Sequence, residues 1–278
     1  MPNGPWVSCA LMTNPRRIAR GCGCAGLLVV TLAIILAISL VAWVLSFLGE
    51  PMPGQSREPV PDTIPPAAAE APPLIDVHGP GRTADQLADW AAPIADATGI
   101  DPQAVRAYGN AALIAAEAWP ACHISWNTLA GIGWVETRHG TYTGHAFDPG
   151  RLNEAGVADP HIIGPALDGS ESFATVHDTD GGALDGDTVY DRALGPMQFI
   201  PESWYHYGRD ADGDGYPDPQ QVDDSALAAA NLLCAKGGDL ATEQGWRAAV
   251  FGYNNSNDYV AKVRDAAANY ALNQPARR

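Results

Sequence analysis

Two segments carry residue types at spacings that suit chemistry. The first reads Leu129-Ala-Gly-Ile-Gly-Trp-Val-Glu136-Thr-Arg-His-Gly140. Leu129, Ile132, Gly133 and Glu136 fall at i, i+3, i+4 and i+7, which is one face of a helix. A carboxylate therefore ends an apolar stripe, and Gly131 and Gly133 let a neighbour approach closely. Lost solvation and the helix C-terminus both raise the pKa of such a group. An acid that keeps its proton near neutral pH is what general acid catalysis requires. The same spacing also fits a Glu paired with Arg138 or Arg192 on a solvated edge. The second segment is Asp210-Ala-Asp212-Gly-Asp214-Gly215-Tyr216-Pro-Asp218. Carboxylates at loop positions 1, 3 and 5, glycine at 6, the Tyr216 carbonyl at 7 and Asp218 at 9 follow the EF-hand calcium loop. Position 12 departs, because Gln221 stands where that loop has Glu, and Asp223 or Asp224 is left to close a longer loop. Crowding so many carboxylates without a cation is costly, and the bland reading is a solvated acidic turn. Asp178, Asp180, Asp185 and Asp187 lack metal spacing, and the histidines show no zinc spacing.

Two further segments are less specific. Ala193-Leu-Gly-Pro-Met197-Gln198-Phe-Ile-Pro201-Glu-Ser-Trp204 joins a Gly-Pro turn to a short helix. Gln198 lies among apolar residues, so its amide contacts a ligand or satisfies a buried backbone group. Phe251-Gly-Tyr253-Asn254-Asn255-Ser256-Asn257-Asp258-Tyr259 gathers aromatics and amides in one loop. Rings and amides suit sugars, which offer apolar ring faces and hydroxyl edges.

The elements that must position these residues are helical. Thr83 caps a helix to about residue 97, with Gly99 past its end. Asp101-Pro102 is an N-cap with proline at the first helical position, opening a helix to about 119. Ser125 caps a third over 126–138, stopped by Gly140. Helical patterns return at 201–207, 224–236, 243–251 and 257–272. Trp119, Trp126 and Trp134 recur at wide helical spacing and read as core, and His139 reads as a surface residue at a helix end. With few alternating apolar runs and no repeats, the fold is expected to be mainly α.

Composition sets the context. Among 278 residues, 32 acids oppose 16 bases for a formal charge of −16. With two lysines, the chain lacks the basic surface that nucleic acid demands. Residues 27–48 carry no charge, and at 1.5 Å per residue their roughly 33 Å crosses a bilayer core. Arg16, Arg17 and Arg20 precede them, so the positive-inside rule places a tail, 1–26, in the cytoplasm and the rest outside. A cleaved signal peptide is the rival reading, although the stretch is long for one. Residues 49–82 are proline-rich and read as an extended linker of about 90 Å reach. The folded domain is then 83–278. Cys9, Cys22 and Cys24 fall on the reducing side. Cys122 and Cys234 are the two outside it, which favours a disulfide over two buried thiols.

Taken in order, GIGWVETRHG, ALGPMQFIPESW and FGYNNSNDY resemble the lytic murein transglycosylases of the SLT type, nearest the membrane-bound lytic transglycosylase B branch in an actinobacterial-looking variant. The resemblance covers about residues 119–270. It implies a lysozyme-like α domain, peptidoglycan glycan strands as substrate and no organic cofactor. Glu136 matches the catalytic acid, and Met197, Gln198, Tyr253, Asn254 and Tyr259 match positions along the glycan groove. That branch carries a structural Ca2+ loop here, which implies Asp210, Asp212, Asp214, Tyr216 and Asp218 as ligands with Asp224 closing. Its reaction leaves 1,6-anhydro-N-acetylmuramic acid ends and uses one carboxylate. A wall-binding module without chemistry, a muramidase of the same fold and a calcium-dependent adhesion protein are the competing expectations. Endo- or exo-action, stem preference and the process served are not legible.

Overall fold

The computed structural model describes residues 57–142, 150–170 and 174–277. Residues 1–26, expected to form a cytoplasmic tail, the apolar stretch 27–48, residues 49–56 and Cys9, Cys22 and Cys24 lie outside them. Among the described residues no helix is long and apolar enough to cross a membrane.

Seven α-helices dominate: α1 Ala88–Thr98, α2 Pro102–Ala118, α3 Trp126–Thr137, α4 Pro201–Tyr207, α5 Val222–Gly237, α6 Glu243–Tyr253 and α7 Asn257–Ala271. Their starts follow the chemistry of orphan N–H groups. The side chains of Asp101, Thr242 and Ser256 accept from the backbone N–H groups of Gln103, Gly245 and Tyr259. Gly99 ends α1 in the left-handed conformation. Two expectations differ. Thr83 opens a 3-10 turn, Thr83–Leu87, rather than the helix itself. Ser125 does not cap α3; its hydroxyl pairs with that of Thr128 at 3.1 Å. Between α3 and α4 the chain forms two small antiparallel sheets, β1 Arg151–Leu152 with β2 Ala158–Asp159, and β3 Ile163–Ala166 with β4 Arg192–Leu194. Strands of two to four residues are too short to show alternation, so the sequence pattern missed them.

The core lies where α3 packs on α7 and α5 packs between α2 and α6. Trp126, Trp246, Tyr108, Leu129 and Leu233 are its large buried side chains. The glycines of α3 serve this packing rather than a ligand. A Cβ on Gly131 would meet the Val263 carbonyl oxygen of α7 at 2.8 Å, and one on Gly133 the Tyr108 hydroxyl at 2.1 Å. Cys122 and Cys234 form a disulfide with Cα atoms 5.3 Å apart, tying the α2–α3 connection to α5.

The compact unit begins at Arg57, not at residue 83. Residues 57–82 contain no helix or strand, yet they lie against the domain as a strap. The Trp126 indole N–H donates to the Glu70 carbonyl, and the Asn127 amide donates to the Ala67 carbonyl and accepts from the Ala69 N–H. Ile64 and Ala69 pack on the core. An extended proline-rich chain makes no internal hydrogen bonds, so its carbonyls are free to accept from the domain. At its end Arg82, 12% exposed, pairs at 2.7 Å with Asp223, which is 1% exposed. Removing one partner of a buried pair leaves an uncompensated charge. Arg82→Ala is expected to lower the unfolding free energy by about 3–5 kcal/mol, measured by urea denaturation. A fragment starting at residue 83 is expected to lose at least as much, whereas one starting at 57 keeps the transition of the full chain.

Candidate active site and acidic loops

Glu136 sits on the last turn of α3, half-buried, and faces the first turn of α7. The Tyr259 hydroxyl donates to its Oε1 at 2.5 Å. Burial drives the carboxyl pKa up to about 7, against the lowering effect of that hydrogen bond. The ion-pair alternatives do not form. Arg192 pairs with Asp187 at 2.8 Å. The Arg138 guanidinium lies over the Trp134 ring, 4.1 Å from its centroid. The acid on the apolar stripe therefore keeps about half its protons near pH 7, so a proton donor is available there.

Two of the predicted groove residues, Tyr259 and Tyr253, meet at this acid. Tyr253, at the end of α6, stacks on Tyr259 with ring planes 7° apart. Its hydroxyl donates to the Met197 carbonyl at 2.7 Å. Gln198 is partly exposed with a left-handed backbone, φ 53°, and its amide donates to the Gly195 carbonyl. Asn254 is exposed at the C-terminal cap of α6. Met197 departs from expectation. Its side chain is fully buried in the core, so its contribution is the carbonyl that holds Tyr253.

Three supporting residues, Thr137, Tyr108 and Tyr270, escaped the sequence reading, and a fourth, His139, was misplaced by it. The Thr137 hydroxyl, next to Glu136, donates to the Pro196 carbonyl at 2.6 Å. Consecutive carbonyls of one turn thus hold α3 and α6. His139 is buried rather than on the surface, 4% exposed, with Nδ1 3.0 Å from the Tyr108 hydroxyl and Nε2 2.8 Å from that of Tyr270. Burial pushes its pKa down to about 3, so it is neutral. A glycine inside a helix, Gly133, was the available signal, since the Tyr108 hydroxyl occupies the space of its missing Cβ.

Gly195, with φ 71°, explains how this turn meets the acidic loop. A Cβ there would lie 1.7 Å from the Pro219 carbonyl oxygen. In that loop the carboxylate oxygens of Asp210, Asp212 and Asp224 lie within 4.8 Å of one another. The Asp210 carboxylate accepts from the Gly213 and Gly215 N–H groups, and that of Asp224 from Ala211 and Asp218. Asp214 and Asp218 accept from the Tyr216 and Gln220 N–H groups and fall outside the trio, and the Tyr216 side chain is exposed. Asp223 is committed to Arg82, which leaves Asp224 facing the loop. The departure at position 12 also has a reason. The Gln221 side chain caps α5 by accepting from the Asp223 and Asp224 N–H groups. Burial raises the pKa of both Asp212 and Asp224, that of Asp224 to about 7.

A second trio, Asp178, Asp180 and Asp191, also lies within 4.8 Å. Its carboxylates are already satisfied by N–H groups of Thr179, Asp180, Gly181, Gly182, Ala183 and Leu184. Backbone donors hold Asp178 and Asp187 below the usual carboxylate range.

Residues 177–270 match the family model for the transglycosylase SLT domain, a range that includes Gln198, the acidic loop, Tyr253 and Tyr259 but not Glu136. No curated protein matches the sequence. Among solved structures the chain is similar to the Escherichia coli lytic transglycosylase Slt35 in complex with bulgecin A, at 18% identity and a TM-score of 0.38, covering 73% of this chain and 85% of that one. It is also similar to the Escherichia coli lytic transglycosylase Slt35 in complex with calcium, at 17% identity and a TM-score of 0.38, covering 68% and 82%. Over residues 177–270 this mainly helical chain is therefore similar to a transglycosylase SLT domain.

Proposed function

We propose that the chain is a lytic transglycosylase acting on peptidoglycan, with Glu136 as its single general acid and base. The observation that carries this reading is a buried carboxyl whose pKa stands near 7, held by a tyrosine hydroxyl beside a second, stacked tyrosine. The SLT domain match supplies the substrate class. Glu136 gives its proton to the glycosidic oxygen as the bond to the anomeric carbon of N-acetylmuramic acid breaks. The sugar's own N-acetyl group assists at that carbon. The 6-hydroxyl then forms the new bond to it and returns a proton to Glu136, closing a 1,6-anhydro ring. Intramolecular attack has an effective molarity of up to ~10⁵–10⁸ M in favourable cases, so a second carboxylate is not needed. The acids of 178–191, which a hydrolase would recruit, are occupied by their own backbone.

The chain belongs, on this reading, to the membrane-bound B branch in its actinobacterial variant. Residues 27–48 anchor it, with the catalytic domain outside the cytoplasm and Gln198, Tyr253 and Asn254 along the glycan groove. The acidic loop fits a structural Ca2+. Its donors are hard oxygens, three carboxylates converge, and two of them carry raised pKa values that a divalent cation would relieve. Asp210, Asp212 and Asp224 would hold the ion, which would supply charge neutralisation and fix the loop against Gly195.

Mass spectrometry of peptidoglycan digested by the full chain tests the reaction. Anhydro-ended muropeptides are expected from the wild type and none from Glu136→Gln; reducing ends would instead mean hydrolysis. The pH dependence follows from the sign of the shift. The acid form of Glu136 is needed first, so kcat is expected to fall as pH rises through about 7. The Tyr259 hydrogen bond lowers that pKa, so Tyr259→Phe moves the alkaline limb to higher pH while reducing kcat. A limb that stays put would show that another group titrates. Chelation is expected to lower the melting temperature of the wild type, and Asp224→Asn to abolish the difference between chelated and calcium-loaded protein. Calorimetry with and without Ca2+ reads both.

A further inference from the structure

A cleft of about 670 Å³ opens between the outer faces of α3 and α7, walled by the strap and the C-terminal tail. That volume lies in the ordinary range for small-ligand sites. Its lining holds four cations, Arg138, Lys262, Arg264 and Arg277, against two acids, Asp62 and Asp265. In a chain of net charge −16 this is a local reversal of sign. The cations are incompletely used. Arg264 bonds Asp62 at 3.0 Å and Asp265 at 2.6 Å, but its buried Nε has no acceptor among the described residues. Lys262 pairs with Asp258 at the surface. Arg138 lies over Trp134 and donates to its carbonyl, and neither it nor Arg277 has a carboxylate partner among the described residues. Pro59, Val60 and Trp134 supply apolar wall between these charges.

The cleft and the catalytic contact share α3 and α7. Val135 and Arg138 flank Glu136 on α3. Lys262 lies three residues beyond Tyr259 on α7, a rise of about 4.5 Å. We propose that this cleft binds the peptide stem of the glycan strand through its carboxylates. The inference rests on the transglycosylase reading for the identity of its ligand. A stem begins at the lactyl group of muramic acid with a small apolar residue, continues with an acidic one and then offers an amine. Two guanidinium groups without a carboxylate partner suit its acidic residue, and the apolar wall suits its small apolar one. Arginine suits carboxylates because its planar fork donates two parallel hydrogen bonds. Inorganic anions would leave the apolar wall and most of the volume unused.

The test is calorimetric titration of the full chain in detergent, at low salt, with N-acetyl-L-alanyl-D-glutamate as the probe. Its uncharged diamide is the control. Binding of the dicarboxylate but not the diamide is expected. Arg277→Gln and Arg138→Asn are each expected to weaken it about tenfold, as charged hydrogen bonds of this kind are worth. Arg277 is exposed on the tail, and Asn tolerates the left-handed backbone at 138, so unchanged melting temperatures separate lost binding from lost fold. Glu136→Gln is expected to bind the probe like the wild type. Equal binding of the diamide, indifference to both arginine variants, or no binding by a chain that cleaves the wall would each overturn the proposal while leaving the catalytic reading intact. Selective binding by a chain that yields no muropeptides would sustain the peptide site and remove the transglycosylase reading.

Discussion

Glu136 is starved of water, and the one hydrogen bond it receives among the described residues comes from a helix 123 positions away. Most of the surrounding architecture follows from bringing Tyr259 to that carboxyl. α3 must lie close to α7, which a side chain at Gly131 would prevent by meeting the Val263 carbonyl. α7 must begin where it does, and the Ser256 side chain caps it so that Tyr259 falls in the first turn. Tyr259 must not swing away, and Tyr253 lies parallel to it with its own hydroxyl fixed on the Met197 carbonyl. The neighbouring Pro196 carbonyl receives Thr137. One turn therefore sets the separation of the acid and its partners, and Gly195 lets that turn lie directly on the acidic loop.

The end of α3 shows why no cation lowers the pKa of the acid. Arg138 and His139 both have left-handed backbones, at φ 54° and 62°, a conformation that costs an ordinary residue roughly 1–2 kcal/mol. Buried hydrogen bonds offset it. A neutral imidazole has one donor and one acceptor nitrogen, so one of Tyr108 and Tyr270 donates to His139 and the other accepts. Because burial keeps His139 uncharged, this brace adds no cation near Glu136. The left-handed turn also aims Arg138 at Trp134 instead of the carboxyl. A cation beside Glu136 would have stabilised its charged form and lowered its pKa.

The two acid-rich stretches have similar composition and opposite electrostatics. In 178–191 glycines and turns expose enough N–H groups to satisfy each carboxylate, and Asp178 and Asp187 have lowered pKa values. In 210–224 the oxygens of Asp212 and Asp224 converge in a more buried place, and their values rise. Counting acids cannot separate these cases. Burial can, because Asp212 and Asp224 also accept backbone N–H groups and their values rise all the same, and burial is a property of the folded loop.

Legibility in the sequence tracked the range of the interaction. Helix starts at Asp101, Thr242 and Ser256 are set by side chains two or three residues from the groups they cap, so the helices were legible. Gln221 was legible as a departure and not as a cap, because its choice between ligand and cap depends on whether Asp224 reaches the loop. The strap was read as a free tether because composition records the absence of periodicity, while the partners of its carbonyls, Trp126 and Asn127, lie nearly 60 residues on. Met197 and His139 were misplaced for a related reason. Each sits next to a residue with a left-handed backbone, Met197 before Gln198 and His139 after Arg138, where sequence spacing does not tell which way a side chain points. The acid itself was legible because burial and the helix C-terminus act locally on Glu136. Its tyrosine partner appeared only as one aromatic among several, and the choice of Tyr259 over Tyr253 needed the packing of α3 on α7.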